Sequence, residues 1–123
     1  MRKHILIADD SSLIRQTLRR LLEKEDDWAV VGEAANGEEA VEQARKLKPD
    51  LVILDLSMPV MNGIEAAHEL RRLLPSLPVV MFIHLATDNL AETALSAGVS
   101  AVVPKSEPAM LVNCIYELLK SAA

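Results

Sequence analysis

Asp9, Asp10, Asp55 and Lys105 carry the groups that could do chemistry together. Each stands at the end of a short apolar run: Ile5–Ala8 leads into Asp9-Asp10, Leu51–Leu54 into Asp55, and Ala101–Val103 lies just before Lys105. Clustered carboxylates repel and raise one another's pKa unless a cation joins them. A set of carboxylate and carbonyl oxygens suits Mg2+, which keeps several waters and binds phosphate oxygens. A lysine at the edge adds a second positive charge. Such a set draws a phosphoryl group toward a carboxylate, and Asp is the nucleophile of aspartyl-phosphate chemistry. Taken singly, each acid reads as a solvated strand-end residue and Lys105 as a surface lysine. Only their joint placement makes a site.

The order of elements decides whether they meet. Apolar runs at 5–8, 28–32, 51–54, 79–83 and 101–103 read as strands, and helical spacing fills the stretches between them. Ser11 or Ser12 caps a first helix running to Glu25, with Ile14, Leu18, Leu21 and Leu22 on its apolar side. Asn36 caps a second, carrying Ala40, Val41, Ala44 and Leu47, and Pro49 stops it. Ile64, Ala67, Leu70, Leu73 and Leu74 mark a third. Asp88 caps a fourth running through Ala97, with Gly98 where a C-terminal glycine belongs, and Pro108 opens a fifth reaching about Lys120. Continuous apolar strands imply a parallel sheet covered on both faces. Strand–helix alternation implies an α/β fold: one doubly wound (βα)5 sheet, flavodoxin-like, in strand order 2-1-3-4-5. In that order the first and third strands flank the point where the order reverses, and ligands bind outside the carboxyl ends there. Asp9, Asp10 and Asp55 then converge on one crevice, with Lys105 at the same end.

Composition narrows the classes. The 123 residues suit one domain, 1–123, and half of them are hydrophobic, which argues against disorder. Asp and Glu number 18 against 13 Lys and Arg, a net charge of -5, so no direct nucleic-acid contact and no membrane contact are expected. The aromatics Trp28, Phe82 and Tyr116 are too few for a base-stacking face. A single cysteine, Cys114, excludes an intrachain disulfide and fits a reducing, cytoplasmic setting; its helical neighbours Leu111, Ile115 and Leu118 point to a packed thiol. A Gly-rich phosphate loop, a strand followed by Gly-x-Gly-x-x-Gly, and His/Cys metal spacing are all missing from the sequence. A haloacid-dehalogenase-type phosphatase needs a second Asp two residues beyond the first, and here that residue is Ser57. A free-standing enzyme is therefore not expected.

The stretches Ile5-Leu6-Ile7-Ala8-Asp9-Asp10, Asp50 to Gly63 through Leu54-Asp55-Leu56-Ser57-Met58-Pro59, and Ala97-Gly98 leading to Val103-Pro104-Lys105 resemble the receiver domain of bacterial two-component response regulators, over essentially the whole chain. The strand order above is itself known from that family, so it is not an independent expectation. The resemblance implies that Asp55 accepts a phosphoryl group from a histidine kinase or phosphotransfer protein. It implies that Asp9, Asp10, Asp55 and the backbone carbonyl of Ser57 hold Mg2+, and that Lys105 pairs with the phosphoryl oxygens. A homodimer is a further expectation. Val31-Gly32-Glu33-Ala34 and the run after Met58 look like receivers carrying a C-terminal helix-turn-helix DNA-binding domain. Arg15, Arg19, Arg20 and Lys24 give the first helix a basic side, read as solvated, with kinase contact as the alternative.

The pattern breaks at the fourth strand. Where the family places Thr or Ser, this chain has Ile83; the next position, usually small, is His84, and Thr87 comes four residues too late unless the loop is remodelled. The family's aromatic position in the fifth strand is Val102, and Ser106 replaces a common proline. Two readings follow: Asp55 is still phosphorylated, with His84 as a substitute donor, or the domain is a degenerate, phosphate-independent interaction module. The plain reading of His84 is an exposed loop histidine.

Overall fold

A computed structural model, described here for residues 2–84 and 87–121, alternates strands and helices. They are β1 Lys3–Ala8, α1 Ser12–Glu23, β2 Trp28–Ala34, α2 Gly37–Leu47, β3 Leu51–Leu54, α3 Gly63–Leu73, β4 Val79–Ile83, α4 Asp88–Ser96, β5 Ala101–Pro104 and α5 Pro108–Ser121. The strands are parallel, in the order β2-β1-β3-β4-β5. This is the expected flavodoxin-like sheet. Two strands outrun their apolar cores: β1 starts at Lys3, and β2 continues through Glu33 to Ala34.

Successive strand residues face opposite sides, and the two sides are packed differently. Leu6, Ala8, Val52, Leu54, Val79, Met81 and Ile83 meet the short side chains Ala40, Ala44, Ala66, Ala67 and Ala94 of α2, α3 and α4. Ile5, Ile7, Leu51, Ile53, Val80 and Phe82 meet Leu18 and Leu22 of α1 and Leu111, Ile115 and Leu119 of α5. Burying each of these larger side chains contributes about 1.5–3 kcal/mol. Cys114 is partly buried beside the second core, and burial pushes its thiol pKa up, as a packed rather than reactive cysteine requires. Among the described residues no helix is long and apolar enough to cross a membrane.

Helix starts follow the polar residues before them. Ser11, not Ser12, caps α1 by accepting from the Ile14 N–H, and Asn36 caps α2 by accepting from Glu39. Asn62 and Glu65 form a reciprocal capping box on α3. Thr87, rather than Asp88, caps α4: its hydroxyl accepts from the Leu90 N–H, and Asp88 is the first helical residue, where its charge suits the helix dipole. Gly98 follows α4 at φ +102, the left-handed geometry that favours glycine.

Gly63 closes the loop after β3. Its N–H donates to the Leu56 carbonyl at 2.8 Å, and a Cβ there would stand 2.2 Å from the Asp55 carbonyl oxygen. Gly63→Ala is expected to destabilise the domain by about 1–3 kcal/mol in denaturant unfolding, because the obstacle is backbone that cannot rotate away. Unfolding midpoints equal to wild type would show that the loop is free to shift.

Candidate functional site

Three backbone hydrogen bonds carry the ladders one residue past the strands. Asp9 N–H donates to Ala34 O at 3.0 Å, Asp55 N–H to Ala8 O at 2.8 Å, and Lys105 N–H to Ile83 O at 2.6 Å. Asp9 and Asp55 are therefore placed side by side by the sheet itself. Lys105 Nζ reaches both, 2.9 Å from Asp9 Oδ2 and 3.0 Å from Asp55 Oδ1. Asp9 Oδ1 also accepts the Ser11 N–H, and Asp55 Oδ1 the Leu56 N–H, both at 2.9 Å. Asp9 and Asp55 are only 2% and 6% exposed, while Asp10 stands at the open mouth. One oxygen from each of the three acids lies within 4.8 Å of the others.

The acids open onto a cleft of about 480 Å³, lined by Asp10, Asp55, Leu56, Ser57, Ile83, His84, Thr87, Leu90 and Lys105. The structure thus brings together Asp9, Asp10, Asp55, Lys105, Ser57 and His84. Thr87, four residues past the family's hydroxyl position, lines the same cleft. A second cleft, about 380 Å³, lies between the segments entering β3 and β4 at the other end of the sheet, away from the acids.

Burial is the largest influence on Asp55 and raises its pKa; the neighbouring Asp9 charge adds to this, and Lys105 opposes it without winning. For Lys105 burial alone would lower the pKa, but hydrogen bonds to Asp9 and Asp55 outweigh it and hold the ammonium above its ordinary value. Two buried carboxylates share one cation, with a third acid at the mouth, so the site is short of positive charge. Its donors are all oxygen and close enough to converge on one ion, which fits a hard divalent cation such as Mg2+.

The basic side of α1 differs from the expectation of a solvated face. Arg15 Nε pairs with Glu33 Oε1 and Arg19 Nη2 with Glu33 Oε2, both at 2.9 Å. Arg15 Nη1 donates to the Asp9 carbonyl at 2.6 Å, so the clamp braces the acid pair from behind. Burial pushes the Glu33 pKa up, but the hydrogen bonds from Arg19 and Arg15 prevail and hold it below the usual carboxylate value. Arg20 and Lys24 remain exposed. Beyond Asp55, Met61 N–H donates to Pro59 O at 2.7 Å across Val60, which stands at φ +67, a rare conformation for a β-branched residue.

The model of the response regulator receiver domain matches residues 5–116. The chain belongs to that family. A protein-glutamate methylesterase/protein-glutamine glutaminase of Alkalilimnicola ehrlichii is 47% identical over 107 residues, covering 85% of this chain and 27% of the relative. The receiver thus spans about a quarter of the length of such curated relatives. Among solved structures, the response regulator domain of Thermotoga maritima CheB superposes with TM-score 0.91 at 29% identity, over 98% of both chains. A LuxR-family two-component response regulator from Aurantimonas gives TM-score 0.94 at 35% identity, over 98% of this chain and 87% of the other. The expected transcriptional-regulator likeness therefore appears on the structural side, while these curated relatives are methylesterases. The degenerate alternative finds no support, since the acids and the lysine are assembled.

A raised carboxyl pKa means that ionising Asp55 costs more in the folded state than in the unfolded one. That contribution to stability is complete below the ordinary carboxylate pKa, falls as pH rises through the folded value, and is gone above it. Asp55→Asn should therefore melt a few degrees above wild type at pH 7 in chelator, with the gap closing as the pH is lowered. Equal melting temperatures at pH 7 would contradict the electrostatic account.

Proposed function

We propose that residues 1–123 act as one cytoplasmic receiver domain that accepts a phosphoryl group on Asp55 from a histidine kinase or phosphotransfer protein and then changes its protein contacts. The observation that carries this reading is Lys105 Nζ held between Asp9 and Asp55 at 2.9 and 3.0 Å beside an open cleft. Asp55 Oδ1 is engaged by Leu56 N–H and Lys105, so Oδ2 is the oxygen that attacks phosphorus. The new O–P bond forms as the P–N bond of the donor phosphohistidine breaks, and the electron pair stays on the imidazole nitrogen. Lys105 then follows the charge from carboxylate to phosphoryl oxygen. Asp9, Asp10, Asp55 and the Ser57 carbonyl are the groups that would hold Mg2+, which when bound neutralises charge on the transferring phosphoryl. His84, at the cleft but exposed, is assigned no step. The chemistry proposed for these residues is phosphoryl acceptance alone, not free-standing catalysis.

Incubation with acetyl phosphate and Mg2+ should add the mass of one phosphoryl group to the wild type and none to Asp55→Asn, read by intact-protein mass spectrometry. An unmodified wild type under these conditions would overturn the reading. Sedimentation of the same samples tests the expected homodimer.

A further inference from the structure

We propose that the Thr87 hydroxyl donates a hydrogen bond to the phosphoryl group on Asp55 and thereby ties that group to the first turn of α4. The inference rests on the phosphoacceptor reading above.

Three observations lead to it. Thr87 lines the same cleft as Asp55 and Lys105. Its hydroxyl oxygen accepts from the Leu90 N–H at 3.2 Å, and its carbonyl accepts from the Ala91 N–H at 2.9 Å, so the residue is fixed at the helix start. A hydroxyl has one proton to donate as well as lone pairs to accept with, and capping uses only a lone pair. The proton is left for an acceptor in the cleft.

The site has need of such a donor. A phosphoryl group presents three strongly accepting oxygens. Lys105 supplies one partner. Ile83, at the end of β4, has no polar atom in its side chain and is buried against the alanine-side core. On that wall a side-chain donor must come from beyond the strand, where His84 and Thr87 line the cleft. Thr87 is the one whose oxygen is already oriented by a cap. Helix α4 is also lightly held: Ala94 is its one fully buried residue, with Leu90 packed against the same core. A pull on Thr87 is thus transmitted to an element that can respond.

Titration with beryllofluoride and Mg2+, a stand-in for the phosphoryl group, tests the proposal. Thr87→Val keeps the side-chain volume and loses the hydroxyl. Thr87→Gly also loses it while leaving the helix start close to its original stability, since glycine is a tolerable cap. Both should weaken beryllofluoride binding roughly tenfold or more, the scale of a hydrogen bond to a charged group. Thr87→Ser should restore it, and His84→Ala should bind as wild type does. A role in capping alone would lower the melting temperature of the valine variant and leave both affinities unchanged, which would overturn the proposal. Loss of binding in His84→Ala with none in the Thr87 variants would also overturn it. Failure of the wild type to bind beryllofluoride would instead defeat the phosphoacceptor reading itself.

Discussion

Lys105 holds two buried carboxylates together at the edge of the sheet, and the rest of the architecture serves that contact. At 3 Å and an effective dielectric constant near 20, each ion pair contributes about 5 kcal/mol of attraction. Desolvation costs several kcal/mol for each ion. The balance is close to even, so the cluster adds little to stability. What it creates is a deficit. Asp9 and Asp55 share one cation, Asp10 adds a third carboxylate at the mouth, and burial, with the Asp9 charge adding to it, holds the Asp55 pKa up. A site left in that state favours any ligand that brings positive charge.

The sheet supplies the geometry at no local cost. Parallel pairing sets Ala8 beside Leu54, and the next rung joins Asp55 N–H to the Ala8 carbonyl. A slip of one residue would exchange the two faces of β1 and drive Ile5 and Ile7 against the alanine layer. The core thus enforces the register, and the register enforces the site. The two faces then divide the work. On the leucine-rich face α1 sends Arg15 to the Asp9 carbonyl, bracing the acids. On the alanine-rich side the cleft opens toward the start of α4, the helix with the fewest buried residues to hold it. The site has a fixed wall and a yielding one.

Much of this was legible in the residues. Continuous apolar runs ending in acids revealed the parallel sheet and the convergence of Asp9, Asp10 and Asp55, because burial on both faces leaves no alternation to confuse the reading. Long-range polar contacts were not legible. Arg15 and Arg19 looked like a solvated stripe because their partner, Glu33, lies on β2, and nothing local marks it as an ion-pair centre. The same pairing explains how β2 continues through a charged residue that had seemed to lie beyond the strand. Asp88 is the cap expected from the sequence for α4, yet Thr87 takes that place. A hydroxyl and a carboxylate satisfy the same orphan N–H, and only the path of the chain decides between them.

Thr87 matters more than a misplaced cap. In the family pattern a hydroxyl ends the fourth strand and an aromatic residue occupies the fifth. Here both positions are apolar and engaged: Ile83 is buried in the alanine-side core, and Val102 packs against it. Ile83 borders the cleft, but its side chain is fully buried in that core and provides no donor. Val102 has no ring to swing. On the phosphoacceptor reading, a phosphoryl group on Asp55 therefore meets no hydroxyl at the end of β4 and no ring in β5. The proposed contact lies instead at the helix start across the cleft, where a capping hydroxyl can accept from the helix and donate to the phosphoryl group at once. On this proposal, the substitutions that made the domain look degenerate move the point of coupling from the end of a strand to the start of a helix.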